Sequence, residues 1–437
     1  MTTLGTDVDH SRQLITAGVS GSGLFHGTYK DSFFKPVGYG KVPHYSEGVL
    51  FYNEDSRTVT NPNKVTFVIT PDAHFIGDMR FVGVLQLFGD EIGVNGTTKK
   101  RFINNIGLHQ IHEVKLSPNV TTRGEIKIPG EYLHVRYLIE NELRDIERLD
   151  ERLRGGLSSV DRDLEAAGNA LVPFVVELKT PYSDDPRHLL PVSALRDDML
   201  VTIEFKDDNE LIEYDGVTVP QIVRSDFTLE VDSFSLFDDH VDFIHKPIHM
   251  DMQGHIRYQN DCIFHTSYYT DNDITSDMID VKIEHMTNDV AAIFYLLRYT
   301  DEAEAPATNT GYDNMLTFSR FALYDRSTNI SGWITKRMTE DTFHKMTDYP
   351  FGENILFKPY ALNIKDRFNA YGSSNPSAYS DPRIKIELDP DVIIQMQGGR
   401  TLRIDEIYIT QNLIQVKSGT GNMDNPQVSI KQVLVSN

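Results

Sequence analysis

The sequence predicts an all-β protein made of two antiparallel β-sandwiches. Three observations carry this expectation. Short runs rich in β-branched and aromatic residues recur along the chain, as at 65–70 and 81–88, the composition that suits a pleated, half-buried surface. Clusters of Pro, Gly, Asn and Asp separate the runs at the intervals seen in sandwiches. The chain has 437 residues, beyond the roughly 250–300 at which one hydrophobic core stops growing. It therefore divides into two domains or forms one unusually large one.

Taken in order, residues 1–24 are polar and rich in Gly, Ser and Thr, and read as a flexible arm. Strands are expected at 65–70, 81–88, 111–116 and 131–137. An amphipathic helix is expected over 138–154, where Ile139, Leu143, Ile146, Leu149 and Leu153 recur at helical spacing. Glu140 and Arg144 form an i,i+4 pair on it, and Gly155-Gly156 stops it. Strands resume at 171–178 and 199–205. The acidic stretch 206–222, with Gly216 and Pro220, reads as a linker. A second series is expected at 227–236, 280–286, 290–299, 318–324, 355–363, 383–388, 401–409, 412–417 and 427–435. No sequence repeat relates the two halves. The expected division is an arm at 1–24, a first domain at 25–212 and a second at 213–437.

Composition narrows the function classes. Apolar residues make up 40% and charged residues 24%, enough to bury a large core. The 42 Lys and Arg against 64 Asp and Glu give a net charge of −22. Such a surface repels phosphate, so no direct nucleic-acid binding is expected, nor docking on anionic membranes through a general basic face. The one cysteine, Cys262, allows no intrachain disulfide and no cysteine-based zinc site. Its presence as a lone thiol suits a reducing compartment. The first residues lack the pattern of a signal peptide. The longest apolar run, 290–297, is far short of the ~20 residues that span a bilayer. A soluble protein made in the cytosol or a cytosol-like space is the expectation.

The chemistry-bearing motifs resolve into ordinary features. The densest His and Asp cluster is Asp238, Asp239, His240, Asp242, His245, His249 and Asp251. Metal centres use such ligands, but Pro247 interrupts any regular element there, and no His-Glu-x-x-His helix is present. Cys262 and His265 are close in sequence, whereas a Cys–His dyad assembles across a fold. Gly89, Gly93 and Gly96 lack the spacing of a phosphate loop and read as a β-turn. Candidate carboxylate pairs for glycoside hydrolysis abound among 64 acids, yet the single Trp333 argues against a sugar-stacking cleft. Three Asn-x-Ser/Thr triplets, at Asn95, Asn119 and Asn329, match what chance supplies. No catalytic, cofactor-binding or metal-binding residue is assigned, and no cofactor is expected.

Specific stretches resemble the double jelly-roll major capsid proteins of nucleocytoplasmic large DNA viruses. Asp31 to Tyr39 (DSFFKPVGY) is similar to the family's opening Phe-Phe-Lys segment, with 46–51 as the strand after it. The basic pair that usually follows the Tyr is lacking. Residues 102–116, and 131–138 followed by a polar helix, fit the next blocks. Leu171-Val-Pro-Phe174 leading to Leu190-Pro-Val-Ser-Ala-Leu195 resembles the family's strand, loop and Leu-Pro-x-x-Ala-Leu. The intervening Thr180 to Asp185 is more acidic than the family's basic loop. In the second half the resemblance runs through 236–253, 288–297, 354–363 and 407–416, with Ser418-Gly419 following. It makes the His-rich cluster a connector between strands.

The resemblance implies two consecutive eight-stranded antiparallel jelly rolls with one inserted helix and long surface loops. It implies a non-enzymatic structural subunit whose homotrimers form pseudo-hexagonal capsomers of an icosahedral virion shell, assembled in the host cytoplasm or a viral factory. Its implied partners are neighbouring capsomers and minor capsid and penton proteins. The arm 1–24 is then placed to reach an internal membrane or minor proteins. The excursions 138–170 and 300–350 are implied to form the outer tower and the contacts between capsomers. An assembly scaffold of the same fold stands as one alternative, and a two-domain β-sandwich carbohydrate-active protein as another.

Overall fold

A computed structural model of the chain describes residues 45–54, 63–88, 100–103, 105–117, 125–140, 171–180, 189–190, 192, 198–214, 220–236, 255–283, 289–300, 315–347, 354–365, 372–418 and 428–432. The arm 1–24, the segment 31–39, the bulk of the expected helix at 141–154 and the cluster 238–251 lie outside them, as do Gly89, Gly93, Gly96, Asn95 and Asn119.

The first half contains β1 (Tyr45–Asn53), β2 (Lys64–Ile69), β3 (Phe75–Phe88), β4 (Lys100–Phe102), α1 (Ile106–His109), β5 (Ile111–Ser117), β6 (Ile126–Pro129), α2 (Gly130–Glu140), β7 (Val172–Glu177), β8 (Met199–Phe205), β9 (Ile212–Tyr214) and β10 (Gln221–Leu236). One sheet runs β1-β10-β3-β7 and the facing sheet β2-β8-β5-β6, with β4 and β9 forming a separate ribbon. Inward positions alternate with outward ones, as β8 shows in being buried at every second residue from Met199 to Phe205.

The second half contains β11 (His255–Tyr269), β12 (Met278–Lys282), β13 (Asp289–Thr300), β14 (Phe318–Asp325), β15 (Thr328–Asn329), β16 (Ile334–Thr335), α3 (Lys336–Thr347), β17 (Ile355–Pro359), β18 (Pro382–Leu388), α4 (Pro390–Gln397), β19 (Thr401–Ser418) and β20 (Val428–Gln432). Its sheets run β11-β19-β13-β17 and β12-β18-β14-β15. Apart from β16, which pairs with β14, and β20, which pairs with β19, this repeats the order of the first half. In each half the chain shuttles between two facing sheets and lays its last long strand beside its first. That connectivity is a jelly roll, present twice although no sequence repeat announces it.

Several expectations are corrected. Residues 131–137 are not a strand: they lie in helix α2, buried on all sides from Gly130 to Ile139. A helix with no polar face shows no helical period, and its Tyr, Val and Ile content mimics a strand. The stretch 206–222 is no linker, since it holds a 3₁₀ turn, β9 and the start of β10. Strand β10, which the expected boundary at 212/213 assigns to the second half, is hydrogen-bonded between β1 and β3. The expected strands 401–409 and 412–417 are one continuous β19. Strand β11 and helices α3 and α4 were not anticipated.

The sheet β11-β19-β13-β17 is covered on both faces. On β13, Val290, Ile293, Tyr295, Leu297 and Tyr299 face the second sandwich core. Ala292, Phe294 and Leu296 join a core that is continuous with the first half. This is why β13 is buried at all but its last position and carries the longest apolar run in the sequence.

Candidate functional site at the junction and the outer faces

The residues joining the halves are built on α2 and on the inner strands of the covered sheet. Strand β19 presents Asp405 to the first half and Glu406 to the second core, because neighbours on a strand point to opposite faces. Beneath Asp405, Glu131 of α2 lies among three cations. Lys206 Nζ approaches Glu131 Oε1 at 3.3 Å, Arg298 Nη2 at 3.5 Å and Arg403 Nη2 at 3.6 Å. Arg298 also pairs with Asp405, and Arg403 Nε donates to Asp405 Oδ1 at 2.8 Å. The Thr266 hydroxyl donates to the same oxygen at 2.9 Å. The Glu131 side chain is 3% exposed and that of Asp405 is 0% exposed.

Burial alone would push the Glu131 carboxyl up; Lys206, Arg298 and Arg403 outweigh it and hold the group far below the usual carboxylate range. A second tie is made by the fully buried Arg136. Its Nε donates to the Tyr132 hydroxyl at 2.9 Å, and its Nη1 donates to the Ile364 carbonyl of the second half at 2.9 Å. On the opposite face of β19, Ser267 donates to Glu406 at 3.0 Å and Tyr408 donates to it at 2.5 Å. Burial and the Glu406 charge push the Tyr295 hydroxyl well up; for Tyr408, burial leads, with Tyr295 and then Glu406 adding to it. The Glu131 cluster and Arg136 hold the two sandwiches in one arrangement, while the Glu406 group lies within the second core.

The solvent-facing sheets differ in character. On the sheet of β2, β8, β5 and β6, Lys115 bridges Glu113 and Glu204 at 3.1 and 2.6 Å. On the sheet of β12, β18 and β14, Arg320 pairs with Glu387 and Arg383 with Asp280 and Asp381. Trp333 lies on this second face, with the Arg320 guanidinium 4.4 Å from its ring centroid and Tyr324 edge-on at 6.4 Å. The outer face of the β1-β10-β3-β7 sheet is graded. Its upper row, Glu230-Arg80-Glu177, is charged, and Arg80 also pairs with Asp232 at 2.5 Å. Below it the rows are Thr228-Val82-Val175, Ser225-Val84-Pro173 and Val223-Gln86, the last extended by Leu171. None of these side chains is ionisable.

Cys262 is half-buried on β11 and packs beside the core shared by the halves, so it belongs to the junction. His265 lies edge-on to Tyr408 at 6.2 Å. Asn329 is exposed at the end of β15, its Oδ1 accepting from the Gly332 N–H at 2.8 Å. Among the described residues, no group of three or more His, Cys, Asp or Glu side chains is placed to hold a metal ion. No described helix is long and apolar enough to cross a membrane. Sequence reasoning missed the Glu131 cluster, because its members are spread from α2 to β19.

No family model matches the sequence, and no curated protein matches it. Solved structures match the fold. VP54 of the virus PBCV-1 is similar with a TM-score of 0.63 at 13% identity, covering 91% of this chain and 99% of that one. A chain of the PBCV-1 capsid gives 0.61 at 13% identity, covering 90% and 99%. The Faustovirus major capsid protein gives 0.60 at 10% identity, covering 87% and 92%. The fold is a double jelly roll, as the strand order within each half requires.

Proposed function

We propose that this chain is a major capsid protein, a structural subunit that tiles an icosahedral virion shell. The observation that carries the reading is the pair of jelly rolls of identical strand order, fixed to each other through a shared core and a buried ionic cluster. Two equal lobes on one rigid subunit give six lobes in a threefold assembly, which is the outline of a hexagonal tile. Cyclic symmetry closes such a trimer without open-ended growth. Likeness over nearly the whole chain to VP54 and to the Faustovirus capsid protein supports the same role.

On this reading the role is structural and not catalytic. Its partners are two further copies of the chain, neighbouring capsomers, and minor capsid and penton proteins. A jelly roll at 25–212 and another at 213–437, adjusted for the pairing of β10, follow the arm 1–24, which is free in this scheme to reach an internal membrane or minor proteins. The test is the mass of the purified protein by light scattering, with negative-stain images of the same peak. A trimer of hexagonal outline is the expected result. A protein that stays monomeric at high concentration overturns the proposal.

A further inference from the structure

A crevice of about 430 Å³ opens at one end of the second sandwich, where β13 hands over to β14 and β18 to β19. Its volume falls within the ~300–1,000 Å³ of small-ligand pockets, and the loop ends of sandwiches are where they carry recognition. The floor is buried and largely apolar: Tyr299, Met315 and Val392 are 7%, 6% and 3% exposed. One wall is helix α4, whose Asp391, Ile394 and Gln395 share a face by their three- and four-residue spacing. All three are exposed, Ile394 by 61%. The other wall is Thr317 and Asn354, fixed by Lys336, which is not part of the lining. Lys336 Nζ donates to the Thr317 hydroxyl at 3.0 Å and to Asn354 Oδ1, and Asn354 Nδ2 donates to the Met315 carbonyl at 3.0 Å. Hydrogen-bonding capacity is left over on both walls. Thr317 accepts from Lys336, so its own O–H remains to donate, and Asn354 keeps a second N–H. Across the gap, the Asp391 carboxylate and the Gln395 amide have no partner among the described residues.

We infer that this crevice binds an uncharged oligosaccharide. Each sugar hydroxyl both donates and accepts, which matches walls that offer both, and the C–H face of a sugar ring suits the apolar floor. An ionised acceptor bonds a hydroxyl more strongly than a neutral one, which gives Asp391 the leading role. Charge selects against other occupants. None of the described lining residues is cationic, and an anionic ligand would meet the Asp391 carboxylate with nothing to offset it. A basic ligand is drawn to the whole of a −22 surface and finds no second carboxylate in the lining to hold it. The Tyr299 ring is buried beneath the crevice and has the Arg400 guanidinium 4.9 Å from its centroid, so it is no stacking platform. Recognition therefore rests on hydrogen bonds, and a single site binds weakly; repetition of the site over a shell multiplies the affinity. The inference goes beyond the capsid reading and rests on it only for that multiplication.

The test is methyl NMR of the full chain isotope-labelled at methionine, with the Met315 signal assigned by Met315→Leu. The probes are maltotriose, mannotriose and chitotriose, with sialyllactose as the anionic control. The expected result is a Met315 signal that moves and saturates with at least one neutral probe and ignores sialyllactose. Asp391→Ala/Gln395→Ala is expected to weaken that binding about tenfold or more, through loss of two hydrogen bonds, one of them to a charged group. Gln397→Ala, exposed on the same helix and outside the crevice, is expected to leave it unchanged. Should the double variant fail to fold, Thr317→Val on the opposite wall is expected to weaken binding in the same direction. A Met315 signal that answers none of the neutral probes overturns the inference. So does a response undiminished in the variants, or one stronger to sialyllactose. The capsid reading is judged separately, by the mass of the assembly, so its failure and the failure of this site are told apart.

Discussion

At the scale of the residue, Glu131 is the most consequential side chain of the junction. It is one of two carboxylates facing three cations, and taking it away strands positive charge in a buried place. Removing one partner of a buried ionic group costs far more than replacing the whole group, because the remaining charge keeps its desolvation penalty. Glu131→Gln is expected to destabilise the protein by about 3–5 kcal/mol at neutral pH in urea unfolding. The pH dependence has a definite sign. The folded-state pKa of Glu131 lies far below the ordinary 4.5, so its contribution is complete above that value and declines as the pH falls below it. The difference between wild type and Glu131→Gln is therefore expected to shrink below about pH 4.5. An undiminished difference at pH 3 would show that the cost is steric. None of this was legible in the sequence. Glu131 meets Lys206 and Arg298 at separations of 75 and 167 residues, and among 64 acids nothing marks this one.

At the scale of the element, legibility follows exposure. Strand β8 runs from Met199 to Phe205 as expected, because one of its faces is wetter than the other and the alternation is written in residue type. Helix α2 was hidden, since burial all round erases the period that distinguishes a helix. Strand β11 was hidden for the opposite reason. Its Thr266 and Ser267 look like loop residues, yet they hydrogen-bond to Asp405 and Glu406. Helix α4 did carry a readable start, Asp389 capping the Asp391 N–H with Pro390 at the first position. The entry of α2 sets a sharper test. A Cβ at Gly130 would lie 2.0 Å from the Ile111 carbonyl oxygen, so backbone must move to admit one. Gly130→Ala is expected to cost about 1–3 kcal/mol or more, read as a lowered urea midpoint. An unchanged midpoint would mean that α2 shifts away from β5 without loss.

At the scale of the whole molecule, the two jelly rolls do not behave as beads on a string. One hydrophobic core contains Phe81 and Val176 of the first half together with Phe294, Phe357 and Ile407 of the second. A single calorimetric transition is expected for the dissociated subunit, with calorimetric and van't Hoff enthalpies in agreement. Two resolved transitions in the wild type would show that the shared core contributes little to cooperativity. The fold class was legible because strand composition and turn spacing report on layers. The joint was not, because a covered sheet differs from an ordinary one only in what lies against its second face.

The shared core also bears on the order in which the chain is made. Ile407 and Ile409 complete packing that begins with Val65 and Phe67, so the earliest strands wait for nearly the last. At about 5–20 residues per second, the stretch from 236 to 409 takes roughly 10–35 s to emerge from the ribosome. Throughout that interval the side of α2 that meets β19 and α3, and the apolar surface around it, stand uncovered. A nascent first half is thus a natural client for chaperones, and its release as a finished subunit is set by synthesis of the second.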